Sequence, residues 1–269
     1  MKVQHLTEKG SGTINEDSYF VSDNNFGVFD GATGLIKYFD ANGNTGALIA
    51  SQTAKEVFEK NQNKPLLIST QEVTAKIREK EEKAEVNLND KACLWSTTAS
   101  VVRINEKTIE YLAIGDSPII FIDKDNNFKT FFVDHDHETV LLWEKLVQEG
   151  VRDLKHDKRT MEQLTKNRRE TNIIYGVFNG EKEALRFVQT GSLSRENIKH
   201  ILIFSDGMLI PKEKSDDPED FKTIVKLFKE GGLQKVKSYV RNLENSDPQC
   251  LKYVRFKRHD DLTAIAITL

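Results

Sequence analysis

Residues 97–133 read TTASVVRINEKTIEYLAIGDSPIIFIDKDNNFKTFFV. Four short runs rich in β-branched and aromatic residues, TTASVVRI, TIEYLAI, PIIFI and FKTFFV, are separated by NEK, GDS and DKDNN. Runs of this length, punctuated by Gly, Asp and Asn, predict an antiparallel meander. Upstream, SYFV (Ser18 to Val21) and FGVFD (Phe26 to Asp30) add two more strands. Ala47, Ala50, Ala54, Val57 and Phe58 then recur at helical spacing. Ser69 and Glu72 stand three apart, the pattern of a capping box, and predict a second helix from there to about Lys83. The charged segment from Arg152 to Glu170 reads as a solvated helix or surface flap. HILIFSD is a further apolar strand. Pro218 is placed to open a helix carrying Phe221, Ile224, Val225 and Phe228 on one face. Gly231 and Gly232 lie beyond its end, Leu233, Val236, Val240 and Leu243 mark another helix, and TAIAIT closes the chain as a strand. Helices grouped in two places around antiparallel strands imply an α+β fold with helices packed on sheets.

Composition narrows the function classes. The chain has 269 residues, 38% hydrophobic and 30% charged, with no internal repeat or low-complexity linker, so one domain spanning 1–269 is expected. A formal charge of −3 and a pI near 6.1 offer no general attraction to nucleic acid or an anionic membrane. The apolar runs fall far short of the roughly 20 residues needed to span a bilayer. The N-terminus lacks the apolar stretch of a signal peptide. Two cysteines, Cys93 and Cys250, without CxxC spacing exclude a disulfide framework or thiolate zinc site and fit a reducing, cytoplasmic setting. A monomer is expected.

Carboxylates recur at strand ends. FGVFDG ends in Asp30-Gly31, HILIFSDG in Asp206-Gly207, Asp260-Asp261 precedes LTAIAIT, and Glu16-Asp17 precedes SYFV. Any one Asp-Gly alone reads as a β-turn. Together, acids at the mouths of buried strands are costly unless a cation neutralises them. The donors are all oxygen, which favours Mg²⁺ or Mn²⁺ over Zn²⁺, and the Gly31 carbonyl is a further candidate donor. His135 and His137 share a face if their segment is extended, yet a surface loop is the simpler reading.

The order of these motifs, NED, FGVFDGATG, STTASVV, YLAIGDSPIIFI, ILIFSDGM and DDLTAIAI, resembles the metal-dependent protein phosphatases, the type 2C Ser/Thr phosphatases, of a bacterial type. DHETVLLWEKLVQEG also looks like the family sequence that follows the central strands. The resemblance implies a four-layer αββα sandwich, two antiparallel sheets flanked by helices, with two Mn²⁺ or Mg²⁺ ions at one end. It implies that Asp30 bridges both ions, that Asp206 and Asp260 hold one with the Gly31 carbonyl, and that Glu16 serves the other. Asp17 would orient water, and Asp116 of GDS, with Asp206, would hold a third, weaker ion. The implied reaction is phosphoester hydrolysis by a metal-activated water on phosphoserine or phosphothreonine of a protein substrate. No protein nucleophile is needed, so Ser96, Thr97 and Thr98 are expected to be strand and packing residues.

Three positions depart from the family pattern. Gly12 stands where an Arg usually grips the phosphate, Ala32 where a His often follows the bridging Asp-Gly, and Pro118 where Arg is common after GDS. Lys9, Arg168 and Arg169 are candidate replacements for the Arg, with surface solvation as the expected role of each. The departures leave two alternatives: a phosphopeptide- or partner-binding relative with little turnover, or a phosphatase for a small phosphorylated metabolite.

Overall fold

A strand covered on both faces is apolar at every position rather than at alternate ones, and the central runs of this chain are of that kind. In the computed structural model, which describes residues 1–269, twelve strands and five α-helices form two stacked sheets between helical layers. The strands are β1 (Lys2–Glu8), β2 (Ser18–Val21), β3 (Asn25–Phe29), β4 (Gly31–Ala32), β5 (Ser96–Thr97), β6 (Ala99–Ile104), β7 (Thr108–Ile114), β8 (Ile119–Asp123), β9 (Phe128–Phe131), β10 (Gln189–Ser194), β11 (Ile198–Phe204) and β12 (Leu262–Thr268). The helices are α1 (Gly46–Lys60), α2 (Leu66–Lys83), α3 (His137–Gln148), α4 (Lys158–Glu170) and α5 (Phe221–Ser246). One sheet runs β1-β12-β11-β8-β9, the other β10-β7-β6-β3-β2, and β4 pairs with β5 in a two-stranded annex. All pairings are antiparallel.

Alternation sorts the apolar side chains into three layers. Phe26, Val28, Val102, Phe121, Ile201, Ile203, Ile265 and Ile267 point between the sheets. Their neighbours Ile120, Ile122, Leu202, Phe204 and Ala264 point outward under α5, against Ile224, Phe228, Leu233 and Val236. Phe29, Val101 and Leu112 face the other way, under Val57, Phe58, Val73 and Ile77 of α1 and α2. The αββα sandwich expected from the resemblance is the observed architecture.

Several local expectations change. The predicted meander is split: β6 pairs with β7 in one sheet and β8 with β9 in the other, because the chain crosses between sheets at Gly115 to Pro118. That crossing delivers Asp116 to the end of the sandwich. The Ser69–Glu72 capping box is not used. Helix α2 begins at Leu66 behind Pro65, one turn earlier, so that Leu66 is buried; Ser69 Oγ sits inside the helix without a partner. The Pro ring fixes φ near its helical value and has no N–H to satisfy, which suits a helix start. Helix α5 begins at Phe221 on the Asp220 cap rather than at Pro218, and Gly231 and Gly232 break it in two as expected. Edge strands β1 and β10 carry no strong apolar signal and were not predicted; both are partly exposed.

Candidate metal centre

Hydrogen bonds from the annex fix the first acid. Thr97 Oγ1 and Thr98 N both donate to the Asp30 carbonyl, at 2.8 and 2.9 Å. Thr98 Oγ1 and Ser117 Oγ lie 2.6 Å apart, tying this corner to the crossing that carries Asp116. Ser96, Thr97 and Thr98 are therefore buried packing residues, as expected, the first two in β5 and Thr98 between β5 and β6, and the two threonines hold Asp30 in place. Gly31 and Gly207 are required by close approach. A Cβ at Gly31 would come within 2.5 Å of the Glu16 carbonyl, and one at Gly207 within 2.0 Å of the Asp261 carbonyl.

The structure brings Asp30, Asp116, Asp206 and Asp260 together along one cleft of about 330 Å³ at the end of the sandwich. Burial pushes the Asp30 carboxyl well above the usual range, and the charges of Asp17, Asp116 and Asp260 push it the same way. Burial also raises Asp206 well above its usual value, with Asp30, Asp260 and Asp116 adding to the effect. The charge of Asp30 on Asp206 is a repulsion that a shared proton or cation relieves. Burial lifts Asp17 to about 8, partly opposed by the hydroxyl of Ser205. Ser205 Oγ donates to Asp17 Oδ2 at 2.7 Å, while Asp17 Oδ1 is buried without a partner. A crowd of oxygen donors, strained when anionic and incompletely hydrogen-bonded, fits hard divalent cations.

Glu16 stands apart from that crowd. It lines the adjoining pocket of about 350 Å³, and its two carboxylate oxygens accept from Thr33 Oγ1 at 2.5 Å and Thr45 Oγ1 at 2.6 Å. The two pockets meet at Thr33, Gly34 and Lys257. Asp261, the second acid of its pair, is structural: its carboxylate accepts from Gly10 N at 2.7 Å and Glu16 N at 2.8 Å, fastening the Glu16 loop to β12.

Sequence reading missed the cation of the site. Lys257 Nζ donates to Asp260 Oδ1 at 2.8 Å and Thr33 Oγ1 at 3.2 Å, at the junction of the two pockets. Burial would lower its pKa, but Asp260 overrides this and holds the ammonium above its ordinary value. Its only sequence signal is a position three residues before Asp260. Of the candidate replacements for the Arg, only Arg168 lines the cleft, donating to the Thr33 carbonyl at 3.0 Å. Arg169 pairs with Asp90 at 3.3 Å on the surface, and Lys9 is exposed. Gly12 is exposed as well. Helix α4 is thus the expected solvated helix on one side and a wall of the cleft on the other.

The surface-loop expectation fits neither histidine. His137 opens α3 and is half-buried, with Nδ1 3.2 Å from the Ser215 carbonyl. His135 is largely enclosed, stacked on Tyr175 with ring centroids 4.2 Å apart, and its Nε2 lies 3.4 Å from Asp116 Oδ2.

Comparison with known proteins agrees with this architecture. The catalytic domain of the serine/threonine protein phosphatase PstP, in complex with two manganese ions, aligns at a TM-score of 0.60 and 16% identity over 98% of this chain and 96% of its own. PstP/Ppp of Mycobacterium tuberculosis gives 0.59 and 16% over 100% and 98%, and Stp1 of Staphylococcus aureus 0.59 and 17% over 100% and 94%. At such identities the likeness is one of fold. No curated protein matches the sequence. The family model for protein phosphatase 2C matches residues 7–242. With a family match over most of the chain and the sandwich observed directly, the chain belongs to the protein phosphatase 2C family.

Proposed function

We propose that the chain, as one catalytic domain over 1–269, is a metal-dependent phosphatase that hydrolyses phosphoserine and phosphothreonine in proteins. The observation that carries this is the convergence of Asp30, Asp116, Asp206 and Asp260 on one cleft with Lys257 at its edge. The manganese-bound PstP structure supports a two-ion reading. Asp30 would bridge two Mn²⁺ or Mg²⁺ ions, Asp206, Asp260 and the Gly31 carbonyl would hold one, and Glu16 would serve the other after releasing its threonine hydroxyls. Asp116 and Asp206 would offer a third, weaker position. Bound, such ions supply activation of water and neutralisation of charge on the phosphoryl oxygens.

The protein's own groups do the rest. Asp17, held by Ser205, orients a water by accepting a hydrogen bond from it. Lys257, at the junction with the pocket that Gly12 lines, and Arg168, in the acid cleft, would supply the positive charge toward a phosphoryl group that Gly12 does not, Arg168 with a planar fork. Ala32 supplies no proton, so the leaving alkoxide takes one from water. Ile36 and Phe39, 60% and 56% exposed, line the adjoining pocket and favour a peptide flanking the phosphoresidue over a small metabolite. The same reading keeps the protein in the cytoplasm as a monomer, its two cysteines unpaired.

Hydrolysis of p-nitrophenyl phosphate and of a phosphothreonine peptide tests the proposal. Turnover is expected with Mn²⁺, is abolished by chelator, and falls at least about 100-fold in Asp206→Asn. Folded protein that binds Mn²⁺ but turns over neither substrate would instead make it a binding relative.

A further inference from the structure

His135 and Asp136, between β9 and α3, meet Asp116 of the β7–β8 crossing in a donor set of which the family resemblance accounts for Asp116 alone. One ligand atom from each of Asp116, His135 and Asp136 lies within 4.8 Å of the others. Donors about 2.1 Å from a divalent ion stand about 3 Å apart when adjacent and about 4 Å when opposite, so only a small adjustment separates this arrangement from coordination.

None of the three side chains is fully employed by the protein. Asp136 occupies the N-cap position of α3, yet its carboxylate makes no cap hydrogen bond. The side chains of Thr45, Asp157 and Asp220 at the other capped helices all do. The imidazole of His135 is largely enclosed, its Nδ1 is buried without a partner, and its Nε2 faces the Asp116 carboxylate at 3.4 Å. A buried ring nitrogen left unserved calls for a missing partner. Meanwhile the ring is held in place: it stacks within 7° of parallel on Tyr175, whose hydroxyl donates to the Asn167 carbonyl at 2.9 Å. A clamped imidazole beside two carboxylates is a preorganised ligand set rather than a loose surface pair.

We infer that Asp116, His135 and Asp136 form a metal site of mixed nitrogen and oxygen donors, which takes Mn²⁺ or another first-row transition ion in preference to Mg²⁺. The third position in the cleft is then held from the β9–α3 loop, by an imidazole, and not by carboxylates alone. Imidazole is the reason for the preference. It suits transition ions, whereas Mg²⁺ keeps to oxygen donors and water. The placement beside the catalytic acids rests on the phosphatase reading; the binding chemistry does not.

Pulsed electron paramagnetic resonance on the full chain titrated with Mn²⁺ tests the site, because a directly bound imidazole couples its ¹⁴N to the manganese electron spin. Wild-type protein is expected to show this coupling, and to keep it in a large excess of Mg²⁺. His135→Gln removes the coupling, whereas His137→Gln retains it. Asp136→Asn, an exposed change that leaves the His135 stack intact, weakens the coupled ion by about 10- to 100-fold. Absence of ¹⁴N coupling at saturating Mn²⁺, or its persistence in His135→Gln, overturns the inference even if the protein is an active phosphatase. Coupled manganese in a protein without turnover upholds the site and defeats the phosphatase reading instead.

Discussion

Asp17 shows how much of this site depends on single atoms. One carboxylate oxygen accepts from Ser205 Oγ, whose own position is set by accepting from Thr263 N at 2.9 Å, while the other oxygen has no partner. Replacing Asp17 with Asn keeps the shape and removes the charge. The change is expected to lower Mn²⁺ affinity or turnover by about 10- to 100-fold, as losses of residues that orient metal ligands do. Calorimetric Mn²⁺ titration alongside steady-state kinetics checks it; unchanged values in both would reduce Asp17 to a packing residue. At this scale the sequence was informative where an acid ends an apolar run, as at Asp30, Asp206 and Asp260. It was silent on Lys257, and for His135 it favoured a surface loop over a metal ligand. Both lie in polar loops, where charge ordinarily means solvation, and only the path of the loop turns them inward.

Among the elements, α5 combines two helices under one sheet. Gly232 has φ 70° and ψ −168°, a conformation essentially closed to residues with a Cβ, and an added Cβ would also lie 2.5 Å from Gln4 Oε1. The break lets Ile224 and Phe228 before it and Leu233 and Val236 after it all reach the same sheet. Gly232→Ala is expected to cost about 1–3 kcal/mol in urea denaturation. Gly231→Ala should cost less, about 1 kcal/mol, since its φ of −158° is open to any residue, although its Cβ would come within 2.9 Å of Lys235 Cβ and Cδ and the lysine must shift. Equal losses at both positions would mean that helix continuity, not the positive φ, sets the cost. The paired glycines are readable as a helix end, and Gly232 is the one whose positive φ residues with a Cβ avoid. The start of α2 was misread because burial of Leu66 outweighed a local capping signal.

Over the whole molecule, the acid cluster makes the stability of the metal-free protein depend on pH in an unusual sense. Burial pushes the Asp17 carboxyl up to about 8 in the folded chain, against an ordinary value of about 4 when unfolded. Between those values the native state holds the extra proton, so stability falls as pH rises from about 4 to about 8 and changes little from this group outside that window. Asp30 and Asp206 are raised by burial too and act in the same direction. Bound ions reverse the balance, because they favour the ionised carboxylates. Thermal melts with chelator are therefore expected to show a lower midpoint at pH 8 than at pH 5.5. At one fixed Mn²⁺ concentration the ion should stabilise more at pH 8, where it binds more tightly; at one hundred times its dissociation constant the whole stabilisation is about 2.7 kcal/mol. A chelated midpoint that rises across this range, or a Mn²⁺ effect independent of pH, would contradict the cluster as described.

What the sequence determined by itself was the set of covered strands and the order of their acidic ends, because two-sided burial and strand-end carboxylates leave local marks that survive without neighbours. It also carried the helices whose faces alternate at 3.6 residues. The tertiary structure decided which strands pair, since the GDS corner sends β8 into the opposite sheet and nothing within PIIFI distinguishes one sheet from the other. It likewise decided that Glu16 faces a separate pocket from Asp30, and that Lys257 and His135 turn toward the acids. Those are meetings of residues distant in the chain. They depend on how layers stack, and no local pattern encodes that stacking.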